Sequence, residues 1–189
     1  MKRNILVVLF AIPLLGLPCA AQMQVALDPA STAVTFTLQD PLHTVHGTFK
    51  LKRGTIQFDP ASGTASGELA VDAASGDSGS KGRDERMNKN VLESGKYPEI
   101  VFKPDHVEGN VALDGDSEVK LHGMFNIHGA DHEISMAVKT HFAGDTLTAE
   151  IAFPVPYVKW GMKNPSTFIL RVSQTVEIEI HAVASIYKP

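Results

Sequence analysis

The side chains best able to do chemistry in this 189-residue chain are four of its eight histidines and one short charged run. His128 and His132 flank "GAD"; in a tight hairpin they would face each other on neighbouring strands with Cβ atoms about 5 Å apart. Such a pair, with Asp131 beside it, suits zinc, copper or nickel. His43 and His46, in "HTVHG", are three residues apart and point to opposite faces of a regular strand, so only a bend would bring both to one ion. The plainer reading of all four is polar turn or rim residues in water, because neither a His-x-x-x-His helix nor a cysteine partner strengthens the pattern.

The charged run is "GRDERM". Asp84 and Glu85 could be read as paired carboxylates for acid–base work, but a solvated helix face explains them more simply. The chain contains no G-x-S-x-G elbow, no H-E-x-x-H helix, no phosphate-binding glycine loop and no dinucleotide fingerprint. Enzymatic activity is therefore not expected.

Compartment follows from the first 21 residues. Lys2 and Arg3 precede the apolar "ILVVLFAIPLLGL" and the small residues of "PCAAQ", the order of a secretory signal peptide. A membrane span needs about 20 apolar residues, more than this Pro13-broken run supplies. Cleavage after Ala21 is expected, with Cys19 and Ala21 at the minus-three and minus-one places. Lipid attachment at Cys19 is disfavoured because Gly16 and Pro18 stand where a lipoprotein signal carries leucine and a small residue. Loss of residues 1–21 removes the only cysteine and takes the formal charge from −4 to −6. That leaves no disulfide, cysteine–zinc site or cysteine nucleophile. A mildly acidic chain without a basic cluster also argues against nucleic acid. Residues 22–189 make one domain, periplasmic or secreted, without a stable membrane anchor, and compatible with a monomer or a homodimer.

The elements that must position these groups are strands. Val34, Phe36 and Leu38 alternate with threonines, and the same period of two runs through Leu69 to Ala73, Val119 to Ile127, Ile134 to Val138, Leu147 to Phe153 and Val176 to Ala182. Turn-prone stretches such as "FDPASGTASG", "LDGDSE" and "FAGDTL" separate them. The pattern predicts an all-β, antiparallel sandwich or barrel of about eight strands. Phe49 and Leu51 keep odd parity while Ile56 and Phe58 keep even, so Gly54 marks either a tight turn or a β-bulge. Within "GRDERMNKNVLESGKYP", Met87, Val91 and Leu92 recur at helical spacing, with Gly95 as the stop and Pro98 beyond. So short a helix needs its apolar stripe packed on the β-core. Across an open barrel end it would either cap a cavity or plug a solid core, and eight-stranded barrels do both.

Four motifs in order resemble one family. "VTFTL" followed by "HTVHGTFKLKRGTIQFD", "GRDERM" followed by "YPEIVF", "LHGMFNIHGADHEISM", and "VKWGM" before the last strand are similar to the signature segments of the YceI-like, polyisoprenoid-binding proteins. The chain departs from that pattern at Arg86 and Met87, where the family has a His-Leu pair, at Val91 and Leu92, where it has phenylalanines, and at Ala130 to His132 in the hairpin. The resemblance implies a lipocalin-like antiparallel barrel with one short capping helix, usually exported, whose apolar interior holds an isoprenoid lipid or quinone-like amphiphile and needs no cofactor. Phe36, Phe49, Phe102, Phe125, Ile127 and Trp160, with Met87 and Leu92 from the helix, are its candidate lining, although ordinary core packing explains each equally well. Arg83 and Asp84 either anchor the cap or meet the ligand's polar head. Burying a methylene is worth about 0.8 kcal/mol, so a few isoprene units gain on the order of 10 kcal/mol before ordering costs are subtracted.

Overall fold

The structure, a computed structural model, describes residues 22–39, 44–166 and 171–188. The expected leader and cleavage site, and His43, lie outside the described residues. Nine strands follow one another: β1 (Met23–Leu27), β2 (Ala33–Gln39), β3 (Thr44–Phe58), β4 (Ala65–Asp77), β5 (Glu99–Glu108), β6 (Gly115–Ile127), β7 (Ala130–Ala143), β8 (Thr146–Val155) and β9 (Val176–Tyr187). Helix α1 (Lys81–Arg86) stands between β4 and β5.

All the pairings are antiparallel, and β3 against β4 closes the sheet into a barrel. Both β1 and β2 lie between β3 and β9: β1 pairs with Thr55–Phe58 and Ala184–Tyr187, β2 with Thr44–Phe49 and Glu177–His181. They are two halves of one barrel stave, so nine strands fill eight positions. Closure gives each described strand a paired neighbour on both sides.

The break between the halves is a turn built by Asp28, whose carboxylate accepts from the Ala30 amide at 2.9 Å and the Ser31 hydroxyl at 2.6 Å. The same four residues, "DPAS", recur at 59–62. Asp59 accepts there from the Ala61 amide at 2.9 Å and the Ser62 hydroxyl at 2.8 Å. Pro at the second position pre-sets the turn's φ, and the aspartate supplies the acceptor that the turning backbone needs. Held by these donors, both carboxyls titrate below their ordinary value.

The parity change in β3 is a bulge rather than a turn. Leu51 pairs with Val71, Arg53 with Ala70 and Gly54 with Leu69, which leaves Lys52 as the extra residue. Lys52 and Arg53 consequently both face outward and grip Glu99 of β5, at 2.7 Å and 2.8 Å. Arg53 also reaches Glu68 of β4, so this network spans three strands at the irregular part of the sheet.

Inward side chains divide the barrel into two halves. Met23, Val25, Phe58, Phe142, Ala184 and Ile186 form a compact cluster at one end. The larger cluster, from Phe102, Leu121, Phe125, Met136 and Val138 to Phe153 and Tyr157, occupies the middle and the other end, where Leu92 joins it from the helical segment.

Candidate functional site

The helical segment is short because it changes pitch. After Arg86 the chain makes a π-type turn over Met87–Val91, in which the Leu92 amide donates to the Met87 carbonyl at 2.9 Å. The helix ends there, at Glu93 with φ of 48°, and not at Gly95. The wider turn brings Met87, Val91 and Leu92 together on the barrel-facing side, where regular α-geometry would spread them. Entry to α1 is fixed by a small polar knot. Asp84 accepts from the amide and hydroxyl of Ser78 at 2.9 Å and 2.5 Å, and Arg83 donates to the hydroxyl and carbonyl of the same serine at 2.8 Å and 3.1 Å. Asp84 is thus a structural tie of the helix start, and of the pair expected on a solvated helix face only Glu85 is exposed.

Behind this segment the barrel is hollow. A cavity of about 420 Å³ runs inward from α1, walled by Val34, Phe36 and Leu38 of β2, Val45 and Phe49 of β3, Phe125 and Ile127 of β6, Phe153 and Val155 of β8, and Val176, Ile178 and Ile180 of β9. Met87, Val91 and Leu92 cover one side, and Tyr157, Met162 and Val172 of the β8–β9 connection another. Ser78, Ser80, Gly82, Arg83 and Arg86 make the polar rim, on which both arginines are exposed. The choice between cap and plug therefore resolves by position: the helix covers a cavity, and the opposite half of the barrel is solid.

Two glycines are spaces for this arrangement. A Cβ on Gly47 would collide with the Phe36 ring, and one on Gly76 would collide with the tip of Met87 and lie 2.8 Å from Phe49. Phe36 and Phe49 pack at 5.4 Å between centroids in the room so created. The β8–β9 connection is strapped down by Tyr157, whose buried hydroxyl donates to the Ser173 carbonyl at 2.7 Å. Burial pushes that phenol's pKa up, keeping it a neutral donor.

Of the ten residues proposed from sequence as lining or head-group contacts, Phe36, Phe49, Arg83, Met87, Leu92, Phe125 and Ile127 border the cavity. Asp84 stands behind Arg83 at Ser78, and the other two are displaced. Phe102 is 6 % exposed and lies outside the lining, its ring filling the place where Gly123 has no side chain. Trp160 backs the wall, 5.9 Å from Phe125 and stacked on His132. Sequence reading missed Tyr157, Met162 and Val172, because a long connection without periodicity gives no sign of which face it turns inward.

Among the described residues the candidate histidines do not assemble. Ile127 pairs with Ala130, so His128 and Gly129 are the two turn residues, with φ of 54° and 74°, and His132 stands opposite Phe125. Positive φ at both central positions is the tight turn whose twist suits a hairpin. It also places His128 outside the ladder, which undoes the expected facing pair. His128 instead lies 4.6 Å from the Tyr97 ring and 3.5 Å from Glu93, while His46 meets the Thr37 hydroxyl at 3.0 Å. Among the described residues no three His, Cys, Asp or Glu side chains converge as a metal site.

Among solved structures the chain is similar to Burkholderia cenocepacia BcnA, at 21% identity and a TM-score of 0.71, covering 84% of this chain and 99% of that one. It is similar also to a polyisoprenoid binding domain from Saccharophagus degradans implicated in plant cell wall breakdown, at 16% identity and a TM-score of 0.68, covering 87% and 98%. A Campylobacter jejuni YceI protein aligns over 100% of this chain and 99% of its own at 14% identity and a TM-score of 0.51. These likenesses establish the barrel architecture. No curated protein matches the chain. The YceI-like domain family matches residues 26–184, from the end of β1 to within β9, and with a barrel built and capped in this way the chain belongs to that family.

Proposed function

We propose that this chain is an exported binding protein that carries an apolar amphiphile, of isoprenoid-lipid or quinone type, with its tail in the barrel and its polar end at the helical rim. The observation that carries the reading is the cavity itself. Some 420 Å³ of space walled by aliphatic and aromatic side chains has no structural purpose, since voids of that size weaken a core. An apolar wall with its charged groups gathered at the rim matches a ligand of the same asymmetry. The polyisoprenoid binding domain that shares the fold supports the tail chemistry.

In this reading Phe36, Phe49, Met87, Leu92, Phe125 and Ile127 contact the tail, Arg83 meets the polar end, and Asp84 holds Arg83 and Ser78 in place. Transfer or storage is achieved by binding alone, without bond-making chemistry. The histidine-based metal alternative is less favoured, because the hairpin register separates His128 from His132. The deciding experiment is gentle purification from the native host followed by mass spectrometry of the organic extract and the metals. An isoprenoid-tailed amphiphile near one per chain is expected; stoichiometric metal without lipid would sink the proposal. Export predicts a mature chain beginning at Gln22, and N-terminal sequencing that finds a lipidated Cys19 would overturn that.

A further inference from the structure

No stretch of the sequence is a basic run, yet folding gathers cations around the mouth of the cavity. The cover, residues 78–98, carries Lys81, Arg83, Arg86, Lys89 and Lys96, and the β8–β9 connection, residues 156–175, carries Lys159, Lys163 and Arg171. All of these side chains are exposed. Both segments close one opening, since Met87 and Leu92 of the first and Tyr157 and Met162 of the second line the same cavity. Against these cations the two segments hold Asp84, Glu85 and Glu93, and the described strand ends behind them add Asp77, Asp131 and Glu177. The mouth is therefore positive in a chain whose formal charge is −4. The solid end has the opposite sign, with Asp59, Asp114, Asp116 and Asp145 at its turns and strand starts against Lys188. Pairing differs as well. On the barrel wall Lys52 and Arg53 meet Glu99 and Lys120 meets Glu108, whereas among the described residues no mouth cation lies within ion-pair distance of a carboxylate.

We infer that the mouth is a docking surface for an anionic lipid bilayer, on which the protein sits cavity-first. Charge selects this partner, because a bilayer presents a continuous sheet of phosphates that attracts each Lys or Arg brought within a Debye length. An amphiphile with an insoluble tail resides in such a sheet, so this orientation brings mouth and cargo together. The exposed large apolar side chains, Leu113, Met124 and Tyr187, belong to neither mouth segment, which makes the attachment electrostatic and reversible by salt. The inference extends the proposed carriage of an apolar amphiphile, but its test needs no bound cargo.

The test is co-sedimentation of the chain from Gln22 onward with vesicles of phosphatidylcholine alone and of an equimolar mixture with phosphatidylglycerol. Binding to the mixed vesicles alone is expected, despite the chain's own negative charge, and should be lost in about 1 M salt, where the Debye length falls to about 3 Å. Lys81→Gln/Lys89→Gln and Lys159→Gln/Lys163→Gln should each weaken it by about fivefold per lysine neutralised. Lys120→Gln/Lys139→Gln removes the same charge from exposed positions on the wall and should leave binding unchanged. Far-ultraviolet circular dichroism confirms the barrel in each variant.

No binding to the mixed vesicles at low salt would overturn the docking surface; the proposed cargo, read from the organic extract, would stand or fall separately. An equal loss in the wall variant would reduce the effect to net charge and sink the inference. Binding abolished by free glycerol phosphate at the phosphate concentration of the vesicles would mark a site for a single phosphate and not a bilayer face. Salt-sensitive binding of duplex DNA in place of vesicles would assign the surface to nucleic acid instead.

Discussion

The imidazole of His132 lies flat on the indole of Trp160, ring centroids 4.0 Å apart and planes 8° from parallel. One partner belongs to the barrel wall and the other to the β8–β9 connection, so the stack fastens the strap that carries Tyr157 and Met162 to the cavity. The His132 Nε2 is buried and has no hydrogen-bond partner among the described residues. Burial pushes the imidazole's pKa below its ordinary 6.5, against a smaller opposing effect of Asp131.

A histidine held neutral with its Nε2 buried makes stability depend on pH in one direction. The unfolded chain takes up a proton near 6.5, whereas the folded chain resists until lower pH, so this contribution is present above 6.5 and is lost as pH falls through the folded value. Trp160 is the chain's only tryptophan and reports the event. Its emission should drop on acidification with a midpoint below 6.5, and His132→Phe should abolish that transition while keeping the stack. A midpoint above 6.5 would show that burial is not the controlling effect.

His122 should behave in the opposite way. On the outer face of β6 its Nδ1 meets Asp105 of β5 at 2.6 Å and its Nε2 meets Glu133 of β7 at 3.0 Å. The hydrogen bond to Asp105, with further support from Glu133, raises its pKa above 6.5. This clasp therefore stabilises fully below 6.5 and fades as pH rises through the folded value. Urea melts of His122→Gln against wild type should show a larger deficit near about pH 5.5 than near about pH 8.5. An equal deficit at both would mean that the imidazole acts by packing, not by charge.

How much of this could be read from the residues alone varied with the kind of information. Alternation at Val34 to Leu38 or Val119 to Ile127 is a local signal, and it located the strands and their inward rows. The parity change between Leu51 and Ile56 announced an irregularity, but whether it was a turn or a bulge depended on β4 lying alongside. The facing of His128 and His132 failed for a related reason. Moving the turn by one residue exchanges the two faces of a strand, and only the Ile127 to Ala130 register fixes it. Phe102 and Trp160 were displaced from the lining because an apolar residue on an inward row looks the same whether it faces a cavity or packs beside it.

The bulge at Lys52 generates an acid-sensitive tie. Hydrogen bonds from Arg53 and then Lys52 pull the Glu99 carboxyl from 4.5 down to about 2. Its contribution is complete above 4.5 and disappears as pH falls toward about 2. In Glu99→Gln the two adjacent cations lose their shared partner, so thermal stability should fall at neutral pH and the gap to wild type should close in acid. The groups are largely solvent-facing, and added salt should shrink the neutral-pH difference as well. A gap that persists unchanged into strong acid would place the effect elsewhere.

Gly76 offers the most direct test of the helical cover. It is buried on β4, and a Cβ there would meet the tip of Met87 and the Phe49 ring together. Gly76→Ala should therefore lift Met87 off its seat at a cost of about 1–3 kcal/mol, typical of an overpacked site. The barrel ladder, which does not run through α1, should keep its strand signal in circular dichroism, while retention of an apolar tail declines. Removing the obstructing side chain in Gly76→Ala/Met87→Ala should restore part of the lost stability, a coupling that a double-mutant cycle measures directly. It should not restore retention, because Met87 is itself part of the cavity wall. Met87→Asp carries the argument to its limit: an unpaired carboxylate on the apolar side of the helix should loosen the cover and empty the cavity while the strands persist. Full tail occupancy in Met87→Asp would mean that the helix does not guard the cavity; wholesale unfolding of both single variants would make it an integral part of the core.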